Sequence, residues 1–251
     1  MNAVTPKAFA YEYAIADSGA LRTPIGNVEA RLCASGALWI AVERTLVVAD
    51  LHLEKGSSYA ARGQMLPPYD TRETLRRLAA EIEALTPATV VFLGDTFHDR
   101  TSEARLAADD AETLRSLANG RTLIWVVGNH DADGPRALPG EIANELSLCG
   151  LTLRHEPLAG LQPGEVSGHL HPAARVKASR GSVRRRCFVT DAERLILPAF
   201  GAYAGGLNVR DEAFAGLFAR PPLAGALGSE RVHAVGWRSL VGDYRLRRGR
   251  S

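Results

Sequence analysis

Two kinds of hydrophobic pattern follow one another along the first half of the chain. Short apolar runs rich in β-branched residues are typical of buried strands, and three stand out: TLVVAD (45–50), ATVVFLGD (88–95) and TLIWVVGNHD (122–131). Between them, apolar residues recur at helical spacing, first as Leu75, Leu78, Ile82 and Leu85, then as Leu106, Ala111, Leu114 and Leu117. Residues 45–127 therefore predict a strand–helix–strand–helix–strand unit with a parallel sheet and right-handed crossovers.

Short signals predict where these two helices begin and end. Asp70 and Glu73 have the spacing of a capping box at the start of the first helix. Asn119 and Gly120 form a typical C-terminal stop for the second helix.

The pattern changes after residue 144 to shorter strand-like runs separated by tight turns. These runs are ELSLCGLTLRH, GEVSGHL, RRRCFVTDAERLILPAF and RVHAVGW. They predict a second, antiparallel or mixed sheet that packs on the first, with helices outside. Because no convincing linker separates the halves, we expect one α/β domain over residues 1–251, with a core of about 25–240 and a basic tail at 245–251.

Polar residues interrupt the apolar runs at the predicted strand ends. Six of the seven histidines fall in the clusters DLH, GDTFHD, GNHD, RHEP and GHLH, each after an apolar run. Such repeated placement predicts that they line one rim of one sheet. Asp50 and His52 are two apart, so they point the same way if strand geometry continues through them. A strand running into a solvated loop is the other interpretation of DLH alone.

Seven of these residues form a donor set of nitrogen and oxygen atoms without sulfur: Asp50, His52, Asp95, Asn129, His155, His169 and His171. That number exceeds the needs of one ion and suits two divalent metal ions bridged by a carboxylate. The natural reaction is in-line attack of a hydroxide on phosphorus. We expect His130 to donate to the phosphoryl or leaving-group oxygen, with Asp131 orienting it. A surface turn is the other interpretation of GNHD, which contains good turn formers.

Composition narrows the class of protein without deciding the substrate. The 251 residues are 46% hydrophobic and 23% charged, which is typical of a globular chain, and the net charge of +2 does not itself imply a nucleic-acid partner. Three cysteines without a C-x-x-C pair argue against a disulfide framework and fit a reducing cytoplasm. The N-terminus lacks signal-peptide features, and no apolar run reaches the length of a membrane span.

The five clusters, in this order, resemble the motifs of the calcineurin-like metallophosphoesterase superfamily. The resemblance implies a four-layer α/β/β/α sandwich of two facing mixed sheets. It also implies that one ion binds Asp50, His52, Asp95 and His171, while the other binds Asp95, Asn129, His155 and His169, with Asp95 as the bridge.

Longer segments resemble one bacterial group within that superfamily. VVADLHLEKGSSYAARGQMLPP, FLGDTFHD, VSGHLHPAARV and LILPAFGAYAGGLNV are similar to the ligase-associated DNA damage response endonuclease (PdeM-type) family, over about residues 25–240. Membership implies a manganese-preferring phosphodiesterase or endonuclease, with iron or zinc as alternatives, acting with an ATP-dependent DNA ligase and a helicase. GDTFHD is also similar to a motif of double-strand-break repair nucleases. This would place His98 near the substrate, although a loop position outside the site is equally open.

Phosphoester hydrolysis follows from the residues, whereas DNA follows only from the resemblance. A basic surface for nucleic-acid phosphates is predicted from the residues after GHLH, namely Arg175, Lys177, Arg180, Arg184, Arg185 and Arg186, and from the tail RLRRGR. We expect single-stranded DNA as substrate, because one strand can bend a phosphate into a recessed site. A small-molecule phosphatase or nucleotide pyrophosphatase is the main alternative. A non-enzymatic module is the third, but it would not need an intact donor set.

Overall fold

The computed structural model of the chain describes residues 13–64, 67, 69–179 and 181–243. Its first sheet has eight strands in chain order, of which β1 to β5 pair antiparallel and β5 to β8 pair parallel. They are β1 (Ala14–Ile15), β2 (Leu21–Ile25), β3 (Val28–Leu32), β4 (Leu38–Ile40), β5 (Thr45–Val48), β6 (Thr89–Leu93), β7 (Thr122–Val126) and β8 (Glu141–Ala143). Gly26 takes φ 55° as the first residue of the two-residue β2–β3 turn, a conformation that glycine adopts freely.

Within the described part of the chain, the second sheet has nine strands of mixed direction. They are β9 (Glu145–Leu148), β10 (Leu151–Arg154), β11 (Glu165–Ser167), β12 (Pro172–Ala178), β13 (Gly181–Thr190), β14 (Leu195–Ile196), β15 (Leu207–Asn208), β16 (Leu223–Leu227) and β17 (Val232–Gly236). The main path runs β15-β12-β13-β14-β11-β10-β9, and β16 joins β13 to β17. Strand β13 is long enough to pair with β12 along its first half and with β14 and β16 along its second.

The α-helices of the described residues all lie between β5 and β7. They are α1 (Lys55–Ala61), α2 (Asp70–Leu85), α3 (Ser102–Arg105) and α4 (Ala108–Ser116). The predicted strand–helix–strand–helix–strand unit is therefore confirmed, with α1 and α2 in the first crossover and α3 and α4 in the second. Within the described ranges, none of the helices has the length and apolarity needed to cross a membrane.

Two apolar clusters hold these layers together. The larger fills the space between the sheets, and its buried members include Val47, Val91, Leu93, Leu153, Val166 and Phe188. The other joins the first sheet to the helices, where Leu75, Leu78 and Ile82 of α2 are buried as the helical pattern predicts. The arrangement confirms the sandwich of two facing mixed sheets with flanking helices. On the outer side of the second sheet, Trp237 of the 3₁₀ turn Trp237–Ser239 packs on a smaller cluster.

The predicted capping box at Asp70 is wrong in its bonding. Asp70 is the first helical residue rather than the N-cap, and no side chain caps the helix. Its carboxylate instead accepts a hydrogen bond from the backbone N–H of Gly56 at 3.0 Å. Thr71 Oγ1 likewise accepts from the backbone N–H of Glu54 at 2.9 Å. The start of α2 is thus used to hold the start of α1.

Candidate metal centre

Asp50 and His52 follow β5, but not as a continuing strand. Both have left-handed backbones, with φ of 54° and 45°, so strand geometry, the condition under which they would point the same way, does not continue through them. Their backbones bond instead to the loop after β6, where Asp50 N donates to Gly94 O at 3.1 Å and His52 N donates to Asp95 O at 2.9 Å. These bonds bring the carboxyl ends of two neighbouring parallel strands together.

The loops after β6 and β7 supply Asp95 and Asn129. Asp95 is buried with φ 46°, and its Oδ1 accepts from the backbone N–H of His130 at 2.9 Å. The Asp131 carboxylate accepts backbone N–H groups from Gly128 at 3.0 Å, Thr96 at 2.8 Å and Phe97 at 3.2 Å. Asp131 therefore fastens these two loops to each other, and burial raises its pKa.

The remaining donors come from the second sheet. His155 follows β10, while His169 and His171 lie between β11 and β12 with φ of 65° and 46°. The backbone N–H of His169 donates to Asp50 Oδ2 at 3.0 Å, which joins the two sheets at this edge. The prediction that the donors line one rim of one sheet is therefore wrong. They lie at an edge that both sheets share.

The first donor group consists of Asp50, His52 and His171, whose ligand atoms lie within 4.8 Å of one another. His171 Nε2 is 3.1 Å from His52 Nε2 and 3.3 Å from Asp50 Oδ1. Burial, followed by the charge of His171, lowers the pKa of His52 to about 3. His52 is therefore a neutral imidazole, which is the form that binds metals.

The second donor group consists of Asp95, Asn129, His155 and His169. His155 Nε2 lies 2.9 Å from Asn129 Oδ1, 3.2 Å from His169 Nδ1 and 3.4 Å from Asp95 Oδ1. Asp95 also reaches the first group, because its Oδ2 is 3.9 Å from His52 Nε2. One carboxylate thus lies between the two groups, as a bridging ligand must.

The chemistry of the second group fits a cation. His155 Nδ1 faces the backbone carbonyl of Leu93 at 3.3 Å, so in the neutral ring Nε2 carries the lone pair and points at two oxygens. Burial opposes a charge there, but the hydrogen bond to Asp95 and the charges of Asp50 and Asp95 raise the pKa of His155 to about 9. The lone pairs of His155 Nε2 and of the two oxygens point toward one another, so either a proton on Nε2 or a metal ion must lie between them.

His130 and His98 lie beside the first group. His130 Nδ1 donates to the backbone carbonyl of His98 at 2.8 Å, and the two rings stack with centroids 5.7 Å apart. His130 Nε2 consequently faces the metal donors, 3.9 Å from Asp95 Oδ2. The partner that orients the His130 ring is thus the His98 carbonyl and not the predicted Asp131, whose carboxylate is hydrogen-bonded to backbone amides.

The predicted basic residues within the described ranges lie on β12 and β13. Arg175 Nε donates to Ser182 Oγ at 2.7 Å, and its guanidinium lies 3.7 Å from Asp243, whereas Lys177 is exposed. Arg186 is turned inward, with its Nη1 donating to Ala199 O at 2.8 Å. Substrate contact by Arg175 and Lys177 stays a prediction. Arg180 and the basic tail 245–251 lie outside the described residues.

Sequence reasoning did not single out strands β1 to β4 or two glycines that lie against the metal donors. Strands β1 to β4 were not predicted, although the alternation in LRTPI and VEARL around Gly26 signals a hairpin. Gly94 and Gly168 were not recognised either. A Cβ on Gly94 would lie 2.2 Å from His155 Nδ1, and one on Gly168 would lie 2.6 Å from Asp50 Oδ2.

Two facing sheets with this dinuclear donor set at their shared edge define a metal-dependent phosphoesterase. The calcineurin-like phosphoesterase family model matches residues 43–187, more than half of the chain, and the chain belongs to this family.

The solved structures that are similar to the chain include the following two. The nuclease MPE from Pseudomonas putida is 29% identical with a TM-score of 0.67, and the match covers 86% of this chain and 100% of that one. Yfce, a phosphoesterase from E. coli, is 15% identical with a TM-score of 0.37, over 76% of this chain and 98% of that one. No curated protein sequence matches the chain significantly.

Proposed function

We propose that this chain is a nuclease that hydrolyses phosphodiester bonds in DNA, with a preference for single strands. The observation that carries the proposal is the pair of donor groups joined by Asp95, in a chain 29% identical to a nuclease over that protein's whole length. The resemblance of the longer sequence segments extends the proposal to bacterial DNA repair in the cytoplasm, beside an ATP-dependent DNA ligase and a helicase.

Two divalent ions are the proposed cofactors. Asp50, His52 and His171 would hold one, Asn129, His155 and His169 the other, and Asp95 both. When bound, such ions supply Lewis acidity and a hydroxide nucleophile at neutral pH. We propose manganese, because the resemblance to the PdeM-type family implies it; the nitrogen and oxygen donors also suit iron or zinc.

His130 is the proposed general acid. Its Nδ1–H is held by the His98 carbonyl, so only Nε2 is available to a substrate. As an imidazolium it donates the Nε2 proton to the leaving-group oxygen when the P–O bond breaks, and it ends as the neutral ring with its proton on Nδ1. The backbone bond keeps the ring in this orientation before and after the transfer.

Substrate contacts are proposed on both sides of this acid. His98 stacks on His130 and is half-buried, so it can contact the phosphate or the sugar beside it. Arg175 and Lys177 would bind backbone phosphates further along the strand, without reading the sequence of bases.

The test is a side-by-side assay of metal-free protein before and after manganese is added back. Its substrates are a phosphodiester reporter, a phosphomonoester reporter, and labelled single-stranded and blunt duplex DNA. We expect internal cleavage of the single strand that depends on manganese and is lost in Asn129→Ala and His130→Ala. His233→Ala is the matched control, since this histidine is exposed on β17 and belongs to neither donor group.

Other outcomes would change the assignment in defined ways. Monoester turnover with intact DNA would make the chain a small-molecule or nucleotide phosphatase on the same metal centre. Equal rates on duplex and single strands would remove the strand preference. Activity retained by Asn129→Ala would contradict the second metal site.

A further inference from the structure

Helix α1 carries a row of side chains that the proposed chemistry does not use. Lys55 and Tyr59 are spaced i and i+4, so they share one face of the helix, and Arg62 is the C-cap residue directly after it. We call these three residues the α1 face. Lys55 and Tyr59 are half-buried and Arg62 is exposed. Among the described residues, neither the Lys55 ammonium nor the Arg62 guanidinium has an ion pair.

The α1 face adjoins the proposed general acid through a series of rings. The Tyr59 ring lies 6.1 Å from the His98 ring at an interplanar angle of 31°. The His98 ring in turn stacks on His130, at 5.7 Å and 20°. Tyr59 is therefore one ring further from the metal donors than His98. Its ring plane is roughly parallel to the planes of the His98 and His130 rings.

The positive charges of the α1 face also act on His98, beside the proposed general acid. Burial lowers the pKa of His98, and the positive charges of Lys55 and Arg62 lower it further. Lys55 precedes Tyr59 by four residues and Arg62 follows it by three, so two cations flank an aromatic ring beside the site. This combination binds single-stranded nucleic acid.

The opposite side of α1 is fixed to the protein. Gly56 and Ser58 are buried, and a Cβ on Gly56 would lie 2.6 Å from Asp70 Oδ1. Ser57 Oγ accepts from Arg105 Nε at 3.1 Å, and the backbone of Glu54 is bonded to Thr71. The α1 face is consequently presented by a helix anchored to α2 and α3, so a ligand on it needs little reordering of the chain.

We propose that the α1 face is the binding surface for the nucleotides next to the scissile phosphate. Tyr59 stacks on an unpaired base, and Lys55 and Arg62 contact the phosphates on either side of it. This inference rests on the proposed function, because it assumes a DNA strand at the metal centre. It explains a preference for single strands, since a base in a duplex has no free face to stack on a protein ring.

The experiment compares cleavage of a labelled oligothymidylate with cleavage of an oligonucleotide of equal length whose central residues are abasic. The manganese-loaded enzyme is assayed on both, with bis(p-nitrophenyl) phosphate in parallel. We expect the wild type to prefer the base-bearing strand by roughly tenfold, as for one stacked base, and Tyr59→Ala to lose that preference. Tyr59→Phe keeps the ring and should keep the preference.

Charge variants test the other half of the surface. Lys55→Gln and Arg62→Gln should each raise KM for the oligothymidylate and reduce its log–log salt dependence by about 0.7, the value for one lost single-strand phosphate contact. Arg115→Gln is the matched control, because Arg115 is an exposed arginine on α4 that pairs with Glu112. It should change neither quantity.

Each alternative result has a separate meaning. If Tyr59→Ala keeps the preference for bases, the stacking role is wrong. If it loses activity equally on both strands and on the reporter, Tyr59 only supports the packing of His98, and the surface is again wrong. If the wild type hydrolyses the reporter but neither strand, the proposed DNA function fails, and the α1 face as a DNA surface fails with it.

Discussion

The two sheets contribute differently to the metal centre. The first sheet supplies both carboxylates, the amide and one imidazole, whereas the second supplies only imidazoles, His155, His169 and His171. Each donor group nevertheless contains residues from both sheets. The negative charge that would attract the proposed ions therefore lies at the ends of the parallel strands. Ions bound to both groups, as proposed, would also connect the two sheets, and their binding would then be linked to the packing of the sheets.

The largest effect is expected at the residue common to both groups. Asp95→Asn keeps the shape of the side chain but removes the charge between His52 and His155. We expect kcat on a diester reporter to fall roughly 10³-fold, as when a principal electrostatic stabiliser is removed. Metal content measured by elemental analysis should fall at both groups. A variant that keeps both ions and most of its activity would contradict the bridging position.

The next effect is on stability and tests the link between the sheets. At a free manganese concentration about a hundred times the dissociation constant, each site should add about 2.7 kcal/mol to the free energy of unfolding. For a chain of this size the melting temperature should rise by roughly 5–10 °C per site. Calorimetry with and without the ion measures it. No rise, despite measured binding, would mean that the unfolded chain binds the ion as tightly as the folded one, so the sites would not depend on the two sheets being joined.

Substitutions at two glycines can test the two donor groups separately. Gly94→Ala pushes on His155 and forces φ 75° on alanine, so it should weaken the second group, while Gly168→Ala pushes on Asp50 and should weaken the first. We expect a 10- to 100-fold loss of metal affinity in each case, about the effect of disturbing the support of a ligand. Titration calorimetry should find a different site weakened in each variant, and identical effects would refute the separation.

The smallest effect concerns a residue away from both groups. Arg175→Gln should raise KM for single-stranded DNA a few-fold and reduce the salt dependence by about 0.7 in log–log slope. The rate of the same variant on the small diester reporter shows separately whether the metal centre is intact. An unchanged salt dependence would mean that Arg175 has a structural role instead, through its hydrogen bond to Ser182 of β13 and its ion pair with Asp243.

Hydrophobic periodicity predicted the parts of the fold in which burial alone selects the structure. The runs before Asp50, Asp95 and Asn129 are buried strands, and Leu75, Leu78 and Ile82 face the core. Asp70 was misinterpreted because a local spacing rule does not include Gly56, which is distant along the chain and adjacent in space. The short strands β1 to β4 precede the motifs and contain none of the candidate metal ligands, so the sequence analysis did not consider them.

The site was predictable as a set of residues but not as an arrangement. Donors at strand ends follow from the sequence, since polar residues after buried runs are conspicuous. That His155 joins Asn129, or that the His98 carbonyl holds His130, depends on how the second sheet docks on the first and on backbone contacts between loops. No spacing along the chain encodes those contacts.

The left-handed backbones at the donor positions limit which substitutions are informative. Asp50, His52, Asp95, His169 and His171 all have positive φ, a region where aspartate, asparagine and histidine are enriched and where other residues carry about 1–2 kcal/mol of strain. Alanine at these positions removes a ligand and also strains the backbone of the loop. An alanine scan therefore overstates the contribution of the ligand to metal binding. Asparagine for aspartate or histidine preserves the loop geometry. A library built on those exchanges would measure coordination separately from folding.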